Sequence, residues 1–158
     1  MATAALGATL SGVEYLSKMA GGAISPPPIM LLLGFSMAEI ENGHVTFEAE
    51  PQEFHYNPIG VVHGGLAATM LDSVMGCAVH STLPCGASYT TLEIKVNYVR
   101  SITTDTGTVV AEGTVVHAGG RIATAEGRMF AKDTGKLLAH GTTTCFVERP
   151  AAAGRAAA

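Results

Sequence analysis

The sequence predicts an α+β fold: one antiparallel sheet of five to six strands wrapped around a long central helix. Three observations carry this. Gly64 to Leu83 is the one long helical stretch. After it the hydrophobic period changes to two and stays there, the signature of half-buried strands. Strands therefore precede and follow one helix, an order that fits a segregated α+β domain and not an alternating βαβ one.

The elements follow in order. Leu10, Val13, Leu16 and Met19 recur every three residues, so a short helix is expected over 9–20, ended by Gly21-Gly22. Pro26-Pro27-Pro28 forces an extended stretch. The apolar run Ile29 to Phe35 then leads into a first strand at Met37 to Ile40. Asn42-Gly43 signals a hairpin, and Val45, Phe47 and Ala49 alternate with polar residues along the returning strand. Residues 51 to 62, with Asn57-Pro58 and Gly60, read as an irregular loop. Beyond the helix, Leu92, Ile94, Val96 and Tyr98 alternate with Thr91, Glu93, Lys95 and Asn97. Further strands are expected at about 106–117, 121–131 and 137–147, divided by Ala118-Gly119-Gly120 and Asp133-Thr134-Gly135. The division is a helix and Pro-rich lead-in over 1–28, the main domain over 29–149, and a flexible Ala-rich tail over 150–158.

Composition excludes several function classes. With a net charge of −4, the chain lacks the basic balance of a nucleic-acid binder. Its longest apolar run, Ile29 to Leu33, is too short to span a bilayer, and Met1 to Leu10 lacks the basic region of a signal peptide. The three cysteines, Cys77, Cys85 and Cys145, form no CxxC, which points to free thiols in a reducing, cytoplasmic setting. The histidines form neither HxH nor HExxH, so no metal site is expected, and no serine sits in a GxSxG elbow. Only 14% of residues are charged against 47% hydrophobic, an excess of apolar surface that suggests self-association.

The helix itself carries the chemistry. Apolar and small residues lie on all its faces, which marks it as buried. Asp72 is its one acidic residue, and His80 its one basic residue. Gly65, Ala68, Thr69, Gly76 and Val79 share the face of Asp72 at helical spacing, and the small size of the first four leaves room for a group to approach the carboxylate. An aspartate confined to one exposed stripe would explain the residue equally well from the helix alone. His63-Gly64-Gly65 opens the helix, where free N–H groups and the helix dipole favour a developing oxyanion.

Asn57-Pro58-Ile59-Gly60-Val61-Val62-His63-Gly64-Gly65, then Asp72, then Tyr89 to Tyr98, resembles the PaaI-type (phenylacetate-pathway) hotdog thioesterases over residues 30 to 147. The resemblance implies the hotdog fold, and cleavage of aryl- or acyl-CoA thioesters with no cofactor, CoA being part of the substrate. It implies Asp72 as catalytic acid, either nucleophile or general base, and the Gly64 backbone N–H as oxyanion donor. Asn57 would position the thioester or the water. His63 would organise the loop rather than act as base, and Thr91 would be the hydroxyl on the next strand, with Thr90 in its place if the register slips. The CoA moiety would lie near Gly65, Thr90, Arg100, Ser101 and the turn carrying His117, Gly119 and Arg121. Gly120 stands where relatives often have a basic residue.

Geometry adds an expectation of its own. Gly64 lies eight residues before Asp72, a rise of roughly 12 Å, and on a different face. One chain cannot easily aim both at one carbonyl, whereas two chains related by a twofold axis can. A homodimer is expected, a dimer of dimers being common in the family, with Asn57 and Gly64 from one chain and Asp72 and Thr91 from the other. Met70, Met75, Val79 and residues near Ile59 and Val61 are expected to line the acyl pocket. Two rival functions remain: a hotdog enoyl-CoA hydratase or dehydratase using His63, and a non-catalytic acyl-CoA-binding protein.

Overall fold

The computed structural model describes residues 9–150. Of the tail expected over 150–158 only Pro150 is among them; residues 151–158 and the first eight lie outside. The elements, numbered here in chain order, are α1 (Gly12–Ala20), α2 (Pro28–Leu33), β1 (Phe35–Glu41), β2 (His44–Ala49), α3 (Gly64–Ser81), β3 (Ser88–Tyr98), β4 (Val109–Ala118), β5 (Ile122–Ala131) and β6 (Leu137–Glu148). The strands form one antiparallel sheet in the order β1-β2-β4-β5-β6-β3, and α3 packs across its concave face. The expected architecture is the observed one.

Where the sheet comes closest to α3, the facing side chains are large on the helix and absent at three strand positions. Met70, Leu71, Val74, Met75 and Val79 are fully buried. Opposite them, Gly113, Gly127 and Gly141 pair in register across β4, β5 and β6. A Cβ on Gly113 would lie 2.6 Å from the Val74 carbonyl oxygen, so the helix backbone itself rests on the strand there.

Two local expectations are corrected. The apolar run after the prolines begins as helix α2 rather than as extended chain leading into the strand. Pro28 occupies its first turn, where a missing N–H costs nothing, and Gly34 ends it in the left-handed region at φ +67°. Leu31 and Leu32 are left 70% and 75% exposed. In β3 the alternating apolar residues enter the core only in part. A bulge between Thr91 and Glu93 shifts the register, so Ile94, Val96 and Tyr98 share the inner face with Thr143, Gly141 and Ala139; Val96 packs against the core, while Leu92, Ile94 and Tyr98 stay solvent-exposed on a strand at the sheet's edge.

Candidate active site

The loop before α3 is built around two side chains. Asn57 Oδ1 accepts from the Ile59 and Val61 N–H groups at 3.1 and 3.5 Å, while Asn57 N–H donates to Val61 O. Gly60, at φ +79°, completes this turn. The amide oxygen of Asn57 is thus spent on the loop, and its NH₂ group is the part left for a ligand. Val62 N–H donates to Ile102 O and His63 N–H to His55 O, which fix the loop to the body of the domain.

His63 is the N-cap of α3. Its Nδ1 accepts from Gly65 N–H at 2.8 Å, and its carbonyl accepts from Leu66 N–H at 3.0 Å. These bonds account for His63 as an organiser and occupy the Gly65 donor. Gly64 N–H, between them, makes no hydrogen bond among the described residues and points out of the first turn. The ring of Tyr98 lies against Gly64, about where a side chain would begin.

Asp72 sits two turns further along. Thr91 Oγ1 donates to Asp72 Oδ1 at 3.0 Å. The alternative register is not adopted: Thr91 pairs with Cys145 on the inner face, and Thr90 pairs with Phe146 and is exposed on the outer one. Gly65, Ala68, Thr69, Asp72 and Ser73 form a half-exposed stripe of mostly small residues down α3. The helix is therefore not buried on every side, and Val79 does not belong to this stripe, since it is fully buried against the sheet.

The other candidates fall into two groups. Arg100 and Ser101 join His63, Gly64 and Tyr98 around a cavity of about 300 Å³ at the start of α3, with Arg100 Nη1 donating to Leu137 O at 2.6 Å. His117, Gly119 and Arg121 lie at the β4–β5 turn instead. There Arg121 stacks over Phe146, which is the strand partner of Thr90, and Arg149 donates to the carbonyls of Gly119 and Gly120. The two groups sit at opposite ends of β3, roughly 30 Å apart by strand rise. The predicted CoA contacts are not gathered within one chain. The expected acyl lining is also corrected: Met70, Met75 and Val79 fill the core, and Ile59 is 82% exposed, whereas Val61 does line the cavity beside Gly64.

Two neighbours of the site give no signal in sequence. Tyr89, two residues before Thr91 on the same side of β3, presses its ring against Gly76, one turn beyond Asp72. Burial holds its phenol well above the usual range, and burial together with Asp72 pushes the Cys77 thiol up to about 12. Both remain protonated beside the carboxylate.

Residues 59–138, half of the chain, match the family model described as the thioesterase superfamily. The chain belongs to the thioesterase superfamily. Human acyl-coenzyme A thioesterase 13 is 31% identical over 102 residues, which are 65% of this chain and 71% of that protein. Curated relatives are spanned over 66–71% of their own lengths. Among solved structures, a phenylacetic acid degradation-related protein of Ralstonia eutropha superposes with a TM-score of 0.75 at 28% identity, covering 84% of this chain and 98% of that one. A mutant form of the phenylacetic acid degradation protein PaaI of Thermus thermophilus gives 0.68 at 26% identity, covering 76% and 98%. The superfamily chain thus carries the hotdog architecture of its PaaI-related neighbours, the sheet wrapped round α3.

Proposed function

We propose that this thioesterase hydrolyses acyl-CoA thioesters in a homodimer, with Asp72 as the catalytic carboxylate. The observation that carries this is the 3.0 Å bond from Thr91 to Asp72 on a stripe of small residues. It engages Oδ1, and Oδ2 is the oxygen this reading assigns to the reaction. A thioester carbonyl held there is attacked by water whose proton passes to Oδ2, or by Oδ2 directly to give an anhydride that water then opens. In both routes a C–O bond forms, the C–S bond breaks, and CoA leaves as a thiolate that takes up the proton. Single-turnover hydrolysis in ¹⁸O-water separates the routes, since the anhydride opened at the aspartyl carbon leaves label in Asp72.

The carbonyl oxygen needs a donor, and Gly64 N–H supplies it from the partner chain. Three observations support this pairing. Gly64 and Asp72 lie too far apart along one helix. The half-exposed stripe of α3 ends at the edge strand β3, which presents Leu92, Ile94 and Tyr98 to solvent in the single chain. Antiparallel pairing of two β3 edges would set the Thr90 and Arg121 end of one chain beside the Arg100 and Ser101 end of the other, uniting the two CoA-binding groups. His63, with Nδ1 committed to Gly65, is a poor base for a hydratase. The test is thiol release from phenylacetyl-, 4-hydroxybenzoyl-, butyryl-, hexanoyl- and lauroyl-CoA. Turnover that collapses in Asp72→Asn supports the proposal. A folded dimer that binds acyl-CoA and releases no thiol would instead favour a binding protein.

A further inference from the structure

The stripe of α3 that holds Asp72 is open only over its first half. Further on, α1 crosses it. Gly12 N–H donates to Leu83 O at 3.0 Å, and Gly12 is pressed so close to the His80 carbonyl that a Cβ would collide with it. Between α1, the Pro26–Pro28 segment and α3 lies a cavity of about 500 Å³. Leu16, Met19, Met30, Met37, Phe47 and Cys77 give it an apolar wall.

This cavity reaches the residue next to the carboxylate, though Asp72 itself does not line it. Ser73, the residue after Asp72, lines it, and so does Tyr89, whose ring packs on Gly76, one turn beyond Asp72. Its polar groups are neutral. His80 stacks on Tyr15 at 5.6 Å and meets Tyr89 edge-on at 5.8 Å, and burial lowers its pKa. The Cys77 thiol and Tyr89 phenol are held protonated, and no lysine or arginine lines the walls. The volume lies in the range, about 300–1,000 Å³, of sites that enclose small ligands.

We propose, building on the thioesterase reading, that the cavity under α1 is the chamber for the acyl tail, and that α1 sets its length. The carbonyl sits at Asp72, and the tail passes Tyr89 and ends against Met19 and the proline segment. The substrate class is an uncharged, medium-chain acyl group. A tail ending in a carboxylate would be buried with no cation to meet it, which is strongly unfavourable.

The experiment uses the full chain and measures kcat/KM on even-chain acyl-CoAs from butyryl to lauroyl, with adipoyl-CoA beside hexanoyl-CoA. Wild type is expected to peak at medium length and to prefer hexanoyl over adipoyl by about a hundredfold or more. Met19→Trp, which fills the far end, is expected to lower octanoyl and longer substrates by about tenfold or more while sparing butyryl. Met19→Ala is expected to move the optimum to longer chains. Retained butyryl turnover certifies the fold of each variant. Chain-length profiles that stay at wild type in both variants, or that fall uniformly at every length in both, overturn the chamber while leaving the thioesterase intact, as does equal use of adipoyl and hexanoyl. Silence of wild type across the panel removes the thioesterase reading and the chamber with it.

Discussion

The Thr91–Asp72 hydrogen bond divides the chemistry between two side chains. Asp72→Asn keeps the shape and the bond to Thr91 but removes the base, so kcat should fall by about 10²–10⁴ with little change in melting temperature. Thr91→Ala keeps the carboxylate and frees its orientation. A hydrogen bond to a charged group is worth about 1.5–3 kcal/mol, so a loss of roughly tenfold to a hundredfold in kcat is expected, smaller than for Asp72. Steady-state kinetics on a substrate that wild type turns over checks both, and equal activity of Asp72→Asn and wild type would remove the assignment. Asp72 is legible in the sequence because an acid among apolar neighbours stands out. Tyr89 is not, because a tyrosine in an alternating strand looks the same whether it packs on solvent, core or Gly76. The bulge beside Leu92, which puts Thr91 and not Thr90 on the inner face, depends on pairing with β6 and leaves no local mark.

The elements are most legible where period and length agree, as in α3 and β4 to β6, and least where one run suits two states. Ile29 to Leu33 is apolar and short, and only tertiary packing decides that it forms a helix capped by Gly34. Close approach makes its own prediction. Gly113→Ala forces a methyl group against the Val74 carbonyl, so urea unfolding should show a loss on the order of 1–3 kcal/mol. The docking of α1 on α3 has a pH signature. Burial lowers the pKa of His80 below its ordinary 6.5, so the unfolded chain binds the proton more readily than the folded one. Stability from this group is fully present above pH 6.5 and declines as pH falls below it toward the folded-state pKa. Thermal melts from about pH 7.5 to about pH 5, across the ordinary histidine range, should therefore fall more steeply for wild type than for His80→Gln. Parallel curves would show that His80 stays out of this balance.

At the scale of the molecule, the fold is visible in the sequence and the assembly only by inference. A low charged fraction and an eight-residue gap between two groups that must meet argue for two chains; the structure adds an apolar edge strand and a half-exposed helix stripe. If Gly64 of one chain and Asp72 of the other act on the same carbonyl, mixing two inactive variants restores an intact site. Gly64→Pro deletes the N–H at a helix position that favours proline, after a residue, His63, already extended at ψ 133°; the nearby Tyr98 ring is exposed and able to give way. Unfolded and refolded together in equal amounts with Asp72→Asn, it should form half heterodimers. Each would carry one doubly damaged site and one intact site, so about a quarter of wild-type activity should return. Mixed samples that stay as inactive as either variant alone, with heterodimers demonstrably formed, would contradict the shared site.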